Sequence, residues 1–345
     1  MSGNNLFRIL SYFWYHYRRT GMASLSDIKK PVAAEMREFE SYFRRTLHSD
    51  IPFFHVILSN FIRRKGKQMR PLLVFLTARL NGTINETTYI AATFIELLHT
   101  ATLVHDDVVD DASERRGLPT INVLYNSKIA VLIGDYLLAQ GLLISVEKQK
   151  FNMLGIVSDA VREIVKGELV QLQKTRKLDI SEEDYFRIIR MKTAALISAC
   201  TACGASSVTE DTEVIARMKE LGENIGVAFQ IKDDLLDYKS DGLTGKREGN
   251  DIKEKKITLP LIHALREAGP LERRRILRLL RRKKKGSREI REVIEFVKKH
   301  RGLEYAETKM QEYSDRAIRI LETYPDSETK SVLIEFVMFS TLRRK

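Results

Sequence analysis

Apolar residues recur at i, i+3, i+4 spacing through long segments of the chain, and only 18 glycines and 7 prolines interrupt its 345 residues. Amphipathic helices show that spacing, whereas strands alternate with period two. The pattern predicts an all-α chain. No solenoid period recurs and no Ser/Gly/Pro-rich linker divides the sequence, so one helical domain is expected over residues 23–345. From Ser26 to Phe61 the spacing predicts helices that cover the core. Leu72-Leu73-Val74-Phe75-Leu76 predicts a helix that starts at Pro71, because a first turn does not need the missing N–H. The run from Ser127 to Ser145 is apolar throughout and predicts a buried helix that also serves a subunit interface.

Two of the apolar runs end in aspartate clusters. Leu97 to Val104 leads into His105-Asp106-Asp107-Val108-Val109-Asp110, and Arg115-Arg116-Gly117 follows shortly after. Phe229-Gln230-Ile231-Lys232 leads into Asp233-Asp234-Leu235-Leu236-Asp237. On a helix, Asp106 and Asp110 share a face and lie about 6 Å apart along the axis. Like charges that close repel unless a cation sits between them. Oxygen-only ligands suit Mg²⁺, which keeps several waters and takes its remaining ligands from substrate phosphates. One such cluster reads equally well as a solvated acidic cap; the second makes that reading strained. Two clusters facing one cleft would hold several Mg²⁺ ions around one diphosphate. Cations lie close by in sequence. Lys67 and Arg70 precede a predicted helix N-terminus, where backbone N–H groups and the dipole favour phosphate. Arg115 and Arg116 add fixed donors for phosphate oxygens.

Taken together, these elements resemble the trans-type polyprenyl diphosphate synthases. DDVVD matches the family's first aspartate-rich motif and DDLLD its second. Gly66-Lys67-Gln68-Met69-Arg70-Pro71, Arg115-Arg116-Gly117 and Lys192-Thr193 match three more, in the usual order. The likeness runs from about residue 30 to the C-terminus. It implies a single large helical bundle around a central catalytic cavity, of the isoprenoid synthase type, and a homodimer.

The same resemblance implies roles. Lys67, Arg70, His99 and Arg116 bind isopentenyl diphosphate, while Lys192, Thr193, Gln230 and Lys246 line the allylic side. Asp106, Asp110 and Asp233 hold two or three Mg²⁺ ions, and Asp107, Asp234 and Asp237 complete the catalytic carboxylates. Arg115, Lys192 and Lys246 neutralise the departing diphosphate. The isopentenyl double bond then attacks the allylic cation, and a proton passes to the released diphosphate. Gly167-Glu168-Leu169-Val170-Gln171 looks like the family's GExxQ element and carries no derived chemistry; His105 receives no role. Lys255 stands where the family often has glycine, which puts the local loop geometry in question. An aromatic residue five positions before the first aspartate stops growth at short products in the family. Here that position is Ala101, with Thr102 beside it, so an open channel and a product of about C30 to C50, as for quinone side chains, are expected. The alternatives are a short-chain synthase, a class I terpene cyclase and a silent subunit of a heteromeric synthase. The cyclase lacks the GKxxRP element, and the silent subunit tends to lose one aspartate motif.

Charge and cysteine add three points. Cys200 and Cys203 form a CxxC within a small-residue helix, with no second Cys or His pair to bind zinc, and read as packing residues. Free thiols fit a cytoplasmic location. Residues 1–22 form an aromatic, basic extension too short and interrupted to span a bilayer. It reads either as an in-plane membrane helix or as a segment upstream of a true start at Met22. Finally, the net charge is +12, part of it concentrated between Arg273 and Lys285. Ile276, Leu279 and Leu280 share one stripe there, which predicts an amphipathic helix packed on the body with its cations in solvent. Nucleic acid is not expected, since no aromatic residue in the run offers stacking. Anionic phospholipid headgroups fit the charge better, as a long polyprenyl product must reach a membrane.

Overall fold

Side-chain caps decide where the two aspartate-bearing helices begin. The structure is a computed structural model that describes residues 24–47, 51–63, 66–115, 117–177, 180–238, 249–282 and 285–342. Within it, Asn85 accepts the Thr87 N–H at 2.8 Å while its own N–H donates to the Thr88 hydroxyl. This reciprocal cap starts a helix at Glu86 that runs 24 residues to Val109. Asp211 likewise accepts the Glu213 and Val214 N–H groups and starts a 26-residue helix, Thr212–Asp237. Both helices therefore deliver their aspartates in the last turn.

The helices in chain order are α1 (Leu25–Lys29), α2 (Ala33–Thr46), α3 (Pro52–Arg63), α4 (Met69–Asn81), α5 (Glu86–Val109), α6 (Ile121–Tyr125), α7 (Ser127–Glu147), α8 (Phe151–Lys177) and α9 (Glu182–Ile189). A π-helical segment, Arg190–Ala194, joins α9 to α10 (Ala195–Ser206). Then come α11 (Thr212–Asp237), α12 (Asn250–Lys253), α13 (Leu259–Glu267), α14 (Pro270–Arg281), α15 (Ser287–Lys299), α16 (Gly302–Glu322) and α17 (Glu328–Leu342). Among the described residues the only strands are β1 (Glu114–Arg115) and β2 (Leu118–Pro119), paired antiparallel. The all-α expectation holds. Helix α4 begins at Met69 rather than at Pro71, which still falls within the first turn and loses no hydrogen bond.

The small-residue helix α10 packs against both α5 and α11. It is buried from Leu196 to Ala205, and burial pushes the Cys200 thiol up to about 12, so the cysteines are inert packing residues. The main apolar core gathers around it, with contributions from α4, α5, α8, α11, α16 and α17. A second cluster joins the end of α11 to α9 and to α13 through α16. A third lies between α5 and α7 and includes Leu47, Leu58, Ala101 and Leu137.

Helix α7 corrects one expectation. It buries Ala130, Ile133 and Leu137 but leaves Val131, Leu132, Leu142, Leu143 and Val146 exposed. By length and composition it could cross a membrane, yet its buried face is fitted to α5. His105 of α5 lies against Gly134, where a Cβ would come within 2.1 Å of the imidazole, and pairs with Asp135 at 3.4 Å. His105 thus anchors α5 to α7.

The π segment is held from the other side by Gly226 of α11, where a Cβ would stand 2.5 Å from the Ala194 Cα. Backbone meets backbone at that crossing, so neither side has a flexible tip to move. Gly226→Ala should therefore destabilise the fold by about 1–3 kcal/mol, seen as a lower urea midpoint. An unchanged midpoint would show that the π segment shifts freely.

Candidate active site

The end of α5 turns its three aspartates to different tasks. Asp110 is exposed and lines the cavity described below, whereas Asp107 is only 7% exposed and accepts Nε of Arg115 at 2.7 Å. Arg115 stands on the β1–β2 hairpin, whose base is tied down by the Thr120 hydroxyl and Asn122 amide, both donating to the Ala112 carbonyl. The Asp106 carboxyl is pushed up, chiefly by burial and further by the charges of Glu168 and Asp110, against Lys192. Lys192 sits in the π segment. It pairs with Glu168 and donates to the Gln171 side-chain oxygen at 3.0 Å. The i, i+3 spacing of the GExxQ element puts both residues on one face of α8.

The second cluster is divided in the same way. Asp233 lines the cavity described below. Asp234 is 5% exposed, accepting the Tyr185 hydroxyl at 2.6 Å and the Gln230 amide at 2.8 Å; Thr193 donates in turn to Gln230 at 2.7 Å. Burial pushes this carboxyl up to about 8, against its two donors. Asp237 accepts the Asp251 N–H at 3.0 Å and so helps to start α12. Asp107 and Asp234 are thus the buried members of their clusters, the one holding Arg115 and the other Gln230.

A cavity of about 1300 Å³ brings the remaining parts together. Lys67, Arg70, His99, Asp110, Arg115 and Asp233 all line it. Arg70 donates to Nε2 of His99 at 2.8 Å, so that ring nitrogen is the acceptor of the pair. Gln68, between the two cations, takes a left-handed turn (φ 54°) that starts α4. Apolar walls come from Leu103, Ile197, Phe229, Phe336 and others. Among the described residues no three carboxylate, imidazole or thiolate side chains converge as a metal site. Carboxylates on two helices bordering one cavity suit a cation shared with a diphosphate better than one caged by protein. Arg116 and Lys246 lie outside the described residues.

The two chain-length positions, Ala101 and Thr102, lie beside the stripe of α5 that lines this cavity. The cavity-facing stripe of α5 is Glu96, His99, Thr100 and Leu103, and neither Ala101 nor Thr102 borders the space. Ala101 is 2% exposed and belongs to the apolar cluster with Leu58 and Leu137, which do line the cavity. It stands behind the wall. The Thr102 hydroxyl is bonded to the His99 carbonyl at 2.9 Å.

Residues 52–297 match the model of the polyprenyl synthetase family. The chain belongs to that family. An octaprenyl diphosphate synthase of Haemophilus influenzae is 32% identical over 94% of this chain and 99% of its own length. The crystal structure of a Caulobacter crescentus polyprenyl synthase, complexed with calcium and isoprenyl diphosphate, superposes with a TM-score of 0.86 at 32% identity, covering 94% of this chain and 99% of that one. A geranylgeranyl pyrophosphate synthase from Bacteroides thetaiotaomicron gives 0.78 at 36% identity, covering 92% and 98%. Membership gives the class of chemistry, prenyl transfer on an isoprenoid synthase fold.

Within this polyprenyl synthetase, the sequence reading missed Lys256. Burial opposes its charge, but the Glu254 ion pair at 2.7 Å and the fields of Asp251 and Asp110 outweigh it and raise its pKa. It lies in the field of Asp110 from the first cluster and of Asp251, whose N–H bonds to Asp237 of the second. The reading stopped one residue short, at Lys255, whose φ of 62° shows why glycine is common there. Tyr185 was missed too, because its partner Asp234 lies 49 positions away in sequence.

Asp234 also leaves a mark on stability. Its folded pKa of about 8 exceeds the ordinary aspartate value of 3.8, so the folded state holds the proton longer than the unfolded chain. This contribution is full below about pH 4 and is lost as pH rises toward 8. In metal-free protein, Asp234→Asn should flatten the fall of the melting temperature across that window. An identical slope in the variant would rule out Asp234 as its source.

Proposed function

We propose that the chain condenses isopentenyl diphosphate with an allylic diphosphate, repeatedly, to give a long-chain polyprenyl diphosphate. One observation carries this reading: a cation set (Lys67, Arg70, Arg115) and an acid set (Asp110, Asp233) line the same cavity. A two-diphosphate reaction needs both, and a cyclase has no use for the first. Lys67 and Arg70 bind the isopentenyl diphosphate, with His99 holding the Arg70 guanidinium in place. Arg116 joins them by the family pattern. On the allylic side, Thr193 and Gln230 are oriented by the buried Asp234, and Lys192 is poised between Glu168 and Gln171.

The acids that would hold divalent cations are Asp106, Asp110 and Asp233, and their crowding fits such a charge. Two or three Mg²⁺ ions bound there would withdraw electrons from the allylic diphosphate and favour its departure. Arg115, Lys192 and Lys246 offset the negative charge that develops on it. The isopentenyl double bond forms the new carbon–carbon bond as the carbon–oxygen bond breaks, and a proton leaves to diphosphate. Positioning and charge stabilisation supply the rate. The two free thiols speak for a cytoplasmic setting, and delivery of a long product calls for contact with a bilayer.

Incubation with isopentenyl diphosphate, an allylic primer and Mg²⁺ tests the whole reading; no consumption of the isopentenyl substrate would end it. Within that assay, Lys67→Ala should raise the isopentenyl KM about tenfold to a hundredfold and leave allylic affinity near normal. A larger effect on the allylic side would mean the two subsites are exchanged.

Product length has a rival reading, which the Bacteroides likeness favours: a short product of the geranylgeranyl kind. Chromatography of the products decides between them. If long products form, Ala101→Phe should shorten them by pressing the wall around Leu58 and Leu137 inward, with condensation itself retained. Unaltered length would place the stop elsewhere in the cavity.

We also infer a homodimer. The exposed apolar residues of α7 are joined by Phe151, Leu169 and Leu172 of α8, a surface that water disfavours. Light scattering at micromolar concentration should give twice the mass of one chain, and a monomer would refute the inference.

A further inference from the structure

Helix α14 presents a face that no described part of the chain covers. Its inner side buries Ile276, Leu279 and Leu280. On the outer side Leu271, Arg274, Arg278 and Arg281 follow at steps of three and four, all exposed, in a stripe about 15 Å long. Of the arginines beside it, Arg275 pairs with Glu292 of α15 at 2.6 Å and Arg282 with Glu289 at 3.1 Å, while Arg273 is exposed. Glu272, the one acid of α14, is taken by Lys299 at 2.8 Å and His300 at 3.1 Å. Arg274, Arg278 and Arg281 have no acidic partner among the described residues. At the head of their stripe Leu271 is 83% exposed, more than any other large apolar side chain described.

We propose that this stripe is a docking surface for an anionic lipid bilayer, with the three guanidiniums on headgroup phosphates and Leu271 in the acyl boundary. Charge complementarity selects phosphate as the partner. The leucine selects the lipid form of it: a nucleic-acid backbone offers an apolar tip nothing, and the stripe has no aromatic ring to stack on a base. A headgroup layer takes both features side by side. The few unpaired cations of the stripe make the contact reversible and sensitive to salt. The contact would serve the long-chain reading as a place to deliver product, yet binding belongs to α14 and is measured apart from catalysis.

Co-sedimentation of the full chain with phosphatidylglycerol–phosphatidylcholine vesicles tests it. Binding is expected to the mixed vesicles, to weaken with salt, and to be absent on phosphatidylcholine alone. Replacing Arg274, Arg278 and Arg281 together by Gln should weaken it on the order of a hundredfold. Leu271→Ser should weaken it about tenfold at unchanged charge. Both variants keep wild-type condensation of soluble short substrates in vesicle-free assays, which reads the prenyl-transfer function separately. Equal binding to neutral vesicles, or undiminished binding by the triple variant, overturns the proposal. So does single-stranded RNA binding that needs the arginines but not Leu271 and exceeds vesicle binding.

Discussion

Asp106 and Asp110 stand one turn apart at the C-terminal end of α5, and Asp233 and Asp237 do the same at the end of α11. Both clusters are badly placed by the rules of an isolated helix. Carboxylates repel at i, i+4, and the C-terminus is the negative end of the helix dipole. The surrounding structure opposes the resulting tendency to fray. The Asp107 carbonyl accepts the Ala112 N–H at 2.9 Å, Asp107 itself grips Arg115, and the hairpin behind is tied by Thr120 and Asn122. At the other end Asp237 accepts from the start of α12, and Lys256 lies within the field of Asp110 and Asp251. Concentrated negative charge at two helix ends is the strain around which the cation positions are organised.

Precision comes from polar groups turned inward. The series Thr193 to Gln230 to Asp234 to Tyr185 crosses from the π segment through α11 to α9. Every member has a partner, which a buried network requires if it is to hold geometry rather than cost stability. The π segment departs from the regular ladder just where Lys192 and Thr193 must project, a frequent use of that conformation. Gly226 then lets α11 close on it without a gap.

Periodicity was enough for the fold. Helices separated by few glycines and prolines leave little choice of class, and the acid clusters stand out because two copies of one spacing are hard to explain by solvation. Burial was not legible. A DDxxD run looks the same whether its second aspartate faces the cleft or the core, and only the packing of Arg115 and Tyr185 separates Asp107 and Asp234 from their neighbours. The face of α5 that meets the cavity was not legible for a similar reason. Stripes one residue apart differ by 100° on a helix, and the packing of α5 on α7 decides which of them opens inward. Lys255 had a backbone cause, a left-handed turn that a side-chain pattern does not reveal.

Helix α7 is one layer thick between two environments. Leu137 borders the cavity on one side, and Val131, Leu132 and Leu142 meet the outside on the other. A displacement of the outer stripe therefore acts on the same helix that walls the cavity. The wall of the cavity and an exposed apolar surface are the two faces of a single helix, and a substitution chosen for one cannot be assumed silent in the other.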